Sequence, residues 1–191
     1  MDIKKENVLA AYETARKAGA DSTMKVLEQL FGEETFKPKD VMERIKTFKD
    51  ACQELGEEHP FVVAYRAIED IDECSGDIEA YLKLRIICAA LNEGWEPQFT
   101  EDEWRYYPWF WLYTQAEIDS MDEEERQDRR MMSTGDYQTD YAGFAYADSA
   151  HAPSTASANF GSRLCLKSGT LAVYCGKQFI DLWADFYLIR K

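Results

Sequence analysis

Nine aromatic residues stand within nineteen positions: Trp95, Phe99, Trp104, Tyr106, Tyr107, Trp109, Phe110, Trp111 and Tyr113. Tyr and Trp combine a large apolar ring with a polar tip, which is why they anchor binding surfaces. Successive side chains of a strand leave on opposite faces. Half of such a run can therefore fill a core while the other half stays outside as a patch for a ligand or a protein. The candidates for that patch are Trp104, Tyr106, Trp109, Trp111 and Tyr113, joined by Tyr146, with Arg105 and Arg163 as polar partners. The competing use of the same rings is to fill the space between a sheet and its covering helices. Lys167 offers a different chemistry: with the amides that open the following helix it could hold an anion. An ordinary strand-to-helix turn accounts for Lys167 equally.

Residues for acid-base or metal chemistry are sparse. His59 and His151 each stand alone, and no His-x-x-x-His or Cys-x-x-Cys spacing occurs, so no metal site is expected. Asp148, Ser149 and His151 contain the residue types of a nucleophilic triad. Near neighbours in sequence do not easily meet in triad geometry, and no nucleophile elbow surrounds Ser149. Gly161-Ser162-Arg163 and Lys167-Ser168-Gly169-Thr170 are fragments of phosphate loops without the full Gly-x-x-x-x-Gly-Lys pattern. The reading is a protein that is not an enzyme and has no cofactor.

Charge narrows the partners. The chain has 191 residues, a formal net charge of −14 and a pI near 4.6. Binding a phosphate backbone directly needs a basic surface, and no cluster of Lys or Arg supplies one. The acidity serves either as a self-repelling soluble surface or as a face that mimics nucleic acid or docks on a basic partner. No run of eighteen apolar residues exists, and the N-terminal Met-Asp-Ile-Lys-Lys-Glu-Asn lacks the apolar core of a signal peptide. Five scattered cysteines (Cys52, Cys74, Cys88, Cys165 and Cys175) suit free thiols in a reducing compartment. The expected location is the cytoplasm, with no membrane partner and no direct nucleic-acid partner. Association into a homo-oligomer stays open.

These residues need elements to position them. Apolar spacing predicts a helical hairpin over 3–31, broken at Gly19, with residues 1–36 as an N-terminal unit and 37–191 as the main domain. A helix is expected from Asp40 to Leu55, a short one after His59-Pro60, and a central one from Ser75 to Asn92 that is apolar on most sides. Strands are expected near 105–113, 143–148 and 162–167, with Pro108 confining the first to a sheet edge or a bulge. The acidic stretch 115–132 is a surface excursion between the first two strands, with room for a solvated helix. Residues 147–159, rich in Ala, Ser, Thr and Pro, read as a loop on the rim of the sheet. A long amphipathic helix from about Thr170 to Ile189, capped by Ser168, closes the chain. Gly176 inside it implies close approach of another segment, the preceding strand being the expected neighbour. The fold class is thus α+β: mostly helical, with a small antiparallel sheet of about three strands packed on a C-terminal helix.

Several segments also come in a familiar order. They are Glu43-Arg44-Ile45-Lys46-Thr47-Phe48, the stretch from Lys83-Leu84 to Leu91-Asn92-Glu93-Gly94-Trp95, Tyr106-Tyr107-Pro108-Trp109-Phe110, Phe160-Gly161-Ser162-Arg163-Leu164-Cys165 and Cys175-Gly176-Lys177-Gln178-Phe179-Ile180-Asp181. The set, which spans nearly the whole chain, resembles a family of gut Bacteroidetes proteins and their phages, including crAss-like phages. That resemblance implies a phage or prophage origin and transfers no activity and no site residue. The Gly-x-Arg-Leu-Cys stretch is also similar to the closing strand of C-type-lectin-like domains that some phages use as variable receptors, although the helical first half departs from that fold. Two functions follow as expectations. One is a phage-derived, non-enzymatic binding or structural protein that holds a protein partner or small ligand on an aromatic sheet surface, in the host cytoplasm or with the virion. The other is an acidic counter-defence protein that blocks a basic host site or sequesters a nucleotide signal.

Overall fold

The computed structural model describes residues 3–71, 76–98, 100, 102–153 and 162–191, with the side chains of 150–153 and 162 outside that description. Cys74, Phe99 and residues 154–159 of the predicted small-residue loop lie outside it, whereas 147–153 of that stretch are strand rather than loop. The chain divides into two compact units that meet in sequence at Arg44 and Ile45.

The first unit is a helical hairpin, α1 (Lys5–Lys17) and α2 (Asp21–Phe31), followed by the short α3 (Val41–Arg44). Gly19 takes φ 65° at the turn, a conformation glycine adopts without a Cβ penalty. Tyr12 fastens the hairpin: its ring stacks on Phe36 at 4.1 Å and its hydroxyl donates to Glu28 Oε1 at 2.5 Å. No side chain caps α2, so Asp21 opens the helix rather than capping it.

The second unit begins with α4 (Phe48–Leu55) and α5 (Pro60–Arg66). The single helix expected over 40–55 is therefore two. Thr47 starts a new one, its Oγ1 accepting from Asp50 N–H while the Asp50 carboxylate accepts from Thr47 N–H. This reciprocal cap outweighs continuation of the apolar pattern. Next comes α6 (Gly76–Leu91), with Leu84, Ile86, Ile87 and Leu91 fully buried, which makes it the central helix. It packs against α4, α5 and the last helix.

The sheet follows. β1 (Trp104–Tyr113) pairs antiparallel with β3 (Gly143–Pro153), and the two-residue β2 (Met132–Ser133) lies on the far side of β3, giving the order β1-β3-β2. The acidic excursion forms two short helices, α7 (Gln115–Ser120) and α8 (Glu123–Asp128), capped by Thr114 and Asp122. Opposite Trp109 and Phe110 the register slips: Trp109 pairs with Asp148 and Phe110 with Tyr146, so Ala147 is the extra residue of a bulge.

Two expectations are corrected here. The predicted strand at 162–167 is a 3-10 turn at Ser162–Leu164 and a single bridge between Leu166 and Tyr106. Leu164, Cys165 and Leu166 are buried in succession, whereas a strand covered on one face would alternate. The side-chain amide of Asn92 replaces a strand partner: Nδ2 donates to Cys165 O at 2.9 Å, and Oδ1 accepts from Lys167 N–H at 3.0 Å. Arg163 to Cys165 are thus no closing strand of a lectin-like sheet. The second correction concerns the final helix, which breaks at Phe179 (φ −118°, ψ 34°) into α9 (Gly169–Gln178) and α10 (Ile180–Tyr187). The break lets α9 lie on β1 and β3 while α10 reaches α6.

The fold is α+β, with the sheet packed on the C-terminal helices. Among the described residues no helix is long and apolar enough to cross a membrane.

Candidate functional site

β1 is an edge strand, and its backbone directions can be read from two hydrogen-bonded positions. Tyr113 O accepts from Ala142 N–H at 2.8 Å, so Tyr113 turns its backbone polar groups toward β3. Tyr106 does the opposite: its N–H donates to Leu166 O at 3.1 Å and its C=O accepts from Leu166 N–H at 2.9 Å, on the side away from β3. In an antiparallel ladder these directions alternate residue by residue. Pro108, Phe110 and Leu112 therefore share the outward direction of Tyr106. Pro108 has no N–H to satisfy, as an edge position allows. Among the described residues the outward N–H and C=O groups of Phe110 and Leu112 meet no backbone partner. Such a row of open donors and acceptors is a template for another strand.

Tryptophans flank this open edge. Trp109 and Trp111 are 39% and 54% exposed and, two residues apart, lie on one face of β1. The opposite face is core: the Phe110 ring lies 4.9 Å from Phe144, 5.5 Å from Trp183 and 5.8 Å from Tyr187. Between the edge and the end of α10 runs a groove of about 330 Å³, lined by Trp109 to Leu112, Phe144, Tyr187 and Leu188.

The other candidate side chains are placed elsewhere. Trp104 is exposed, at the opposite end of β1. Tyr106 is half-buried, its ring beside Gly169. Arg105 is 1% exposed, so its guanidinium is interior and cannot serve as a surface partner of the rings. Tyr113 and Tyr146 are buried as well. Tyr113 Oη accepts from Arg129 at 3.4 Å, and the Tyr146 ring lies under Lys177 Nζ at 5.3 Å, with burial pushing its phenol up. Lys167 does not wait for an anion: its Nζ sits 2.7 Å from Glu93 Oε2, and Ser168 Oγ caps α9 by accepting from Leu171 N–H. Arg163 is exposed, on a different depression bounded by α5 and α6. Of the nine residues only Trp109 and Trp111 share the groove.

Leu112, Phe144, Tyr187 and Leu188 complete the groove without having been singled out from the sequence. Tyr187 and Leu188 belong to the last apolar stretch, whose periodicity marks a buried face without saying which end opens to solvent. Asp148 turns away from any triad, its Oδ1 accepting from Ser149 N–H at 2.7 Å, and the His151 side chain lies outside the described residues. No group of His, Cys, Asp and Glu fit to hold a metal ion occurs among the described residues.

The unit that carries the edge is acidic. From Ile45 onward the chain carries 27 Asp and Glu against 14 Lys and Arg, and α7 and α8, which follow β1 directly, hold six of those acids. Comparison with family models, with curated proteins and with solved structures finds no match in any of the three.

Proposed function

We propose that this chain is a non-enzymatic binding protein of phage or prophage origin that captures an extended, basic segment of a partner protein along the outer edge of β1. The observation that carries the reading is the pair of open backbone positions at Phe110 and Leu112, which alternate along the strand with two exposed tryptophans. An added strand would satisfy those groups, giving affinity through main-chain hydrogen bonds and specificity through alternate side chains. Lys and Arg side chains of that strand would meet the faces of Trp109 and Trp111, a favourable cation-ring contact of about 0.5–1 kcal/mol at an exposed site. The acidity of this unit steers the same partner toward the edge. A second copy of this chain would bring its own acidic surface against this one, so a basic partner is favoured over edge-to-edge self-pairing. Occupying a basic site on a host protein, as a counter-defence factor would, is one setting for this chemistry.

The test is a titration with two synthetic peptides, one alternating Lys with Val and the other alternating Glu with Val, followed by amide resonances of the protein. The Lys peptide should bind, with the Phe110 and Leu112 amides shifted and protected from exchange, and the Glu peptide should not. Binding without change at those two amides would sink the proposal. So would a dimer formed through the same edge in the absence of peptide.

A further inference from the structure

Elsewhere in the second unit, with no lining residue in common with the groove at the edge, lies a depression of about 430 Å³ whose lining includes His59, Phe61, Arg85, Asn92, Trp95 and Arg163. That volume is within the range of small-ligand sites. We infer that it is a binding site for a phosphorylated planar ring of mononucleotide size, held by Arg85 and Arg163 at the phosphate and by Phe61 and Trp95 at the ring.

Arg85 provides the first argument. Its guanidinium carbon sits 3.9 Å from the centroid of Phe61, so the ring on α5 fixes its plane. Among the described residues it makes no ion pair, and its Nε is buried with no hydrogen-bond partner. That Nε is closed to solvent, so the atoms left to meet a ligand oxygen are the terminal nitrogens, which form no hydrogen bond with the described residues. Arg163 is exposed and forms no ion pair among the described residues, whereas Arg66, Arg126, Arg129 and Arg190 all pair with carboxylates. Two uncommitted guanidiniums on one pocket of a strongly acidic unit suit a dianion. Each planar fork matches phosphate bidentately, and a phosphate can meet both where a carboxylate suits one.

The remaining walls fit the ring. His59 Nδ1 accepts from Phe61 N–H at 3.2 Å, which leaves the proton of its neutral ring on Nε2 as a further donor. The His59 ring stands edge-on to Phe61 at 4.9 Å. Trp95 is half-buried, and its backbone N–H donates to Asn92 O at 2.9 Å. The Asn92 side chain is fully engaged by Cys165 and Lys167, so it fastens the segment next to Arg163 and takes no part in binding. Glu96 also lines the depression and offsets one of the two arginines, so the lining keeps a net positive charge, and the acidity beyond about 8 Å is screened at physiological salt.

Calorimetric titration of the full chain with AMP, phenyl phosphate, adenosine and inorganic phosphate tests this. AMP or phenyl phosphate should bind saturably, with adenosine and phosphate each roughly tenfold weaker or worse. Arg163→Gln should weaken binding at least about tenfold at an unchanged melting temperature, because the side chain is exposed and unpaired. Arg85→Gln should do the same, and Trp109→Ala, which does not line the depression, should leave binding intact. Failure of both AMP and phenyl phosphate would overturn the inference, as would Arg163→Gln binding like the wild type. Inorganic phosphate binding as tightly as AMP would remove the ring from it and overturn it in that form.

Discussion

Gly176 on α9 faces Pro108 on β1 so closely that a Cβ added to the glycine would stand 2.6 Å from the Cβ of the proline and 2.9 Å from Cδ2 of Tyr146. Neither neighbour gives easily, since Pro108 is a rigid ring fixed in the strand and Tyr146 is buried. Alanine would favour the helix by about 1 kcal/mol on propensity alone. Overpacking of this kind costs typically about 1–3 kcal/mol. Gly176→Ala should therefore lower stability in urea unfolding. Gly169→Ala is the control, because a Cβ there meets Tyr106 at an ordinary 3.5 Å and should change little. A stabilised Gly176→Ala would mean that α9 does not rest on the sheet as described.

The close approach also shows how far the sequence could be read. A glycine inside an amphipathic helix announced a tight contact, Ser168 announced the start of that helix, and Pro108 announced an edge strand. Each is a local signal with a local physical cause. The identity of the partner was not local: Gly176 meets a proline sixty-eight positions earlier, not the segment just before it. In the same way, alternation in β1 indicated that half the rings face out without saying which half. Arg105 reads as a surface residue by type and is buried only because of what folds over it. The pocket around Arg85 and Arg163 draws on separate stretches of chain, so no spacing in the sequence marks it.

Asn92 illustrates such a long-range role and yields a second prediction. Its amide joins α6 to the carbonyl of Cys165 and the N–H of Lys167, all at the buried end of the helix. Removing it leaves the buried Cys165 carbonyl without this donor, at a cost of about 1–3 kcal/mol. Asn92→Ala should lower the free energy of unfolding by roughly 2 kcal/mol on that basis. Asn92→Asp should cost more, because it sets an acceptor-only carboxylate against the Cys165 carbonyl. An Asp variant as stable as wild type would sink this account.

Tyr137 supplies a pH dependence. Burial first, then donation of its hydroxyl to Asp185 Oδ1 at 2.7 Å, push the phenol from its ordinary value near 10 up to about 12. A folded-state pKa raised above the unfolded one means that the native chain keeps a proton the unfolded chain releases. The contribution is fully present below about pH 10 and is lost as pH rises toward about 12. Tyr137→Phe should be less stable than wild type at neutral pH and should close that gap across this window, as read from urea midpoints. A gap independent of pH would show that the phenol is not held above its ordinary value in the folded chain.

The outward direction of Leu112 can be separated from the inward direction of Trp111 by proline. Leu112 N–H has no backbone partner among the described residues, so Leu112→Pro removes no ladder bond. Trp111 before it is already extended, as the residue preceding a proline prefers. Its cost is the half-buried leucine side chain, about 1 kcal/mol. Trp111→Pro instead deletes a donor aimed at β3, pairing opposite Ala145, and leaves a carbonyl there unsatisfied, a loss of about 1–3 kcal/mol on top of the strain of a ring inside the ladder. Leu112→Pro should thus remain folded and lose the Lys-Val peptide, whereas Trp111→Pro should unfold at distinctly lower urea. Equal destabilisation by the two prolines would overturn the backbone alternation assigned to β1. A folded Leu112→Pro that still binds the peptide would instead exclude strand addition and leave the tryptophan faces as the whole of the binding surface.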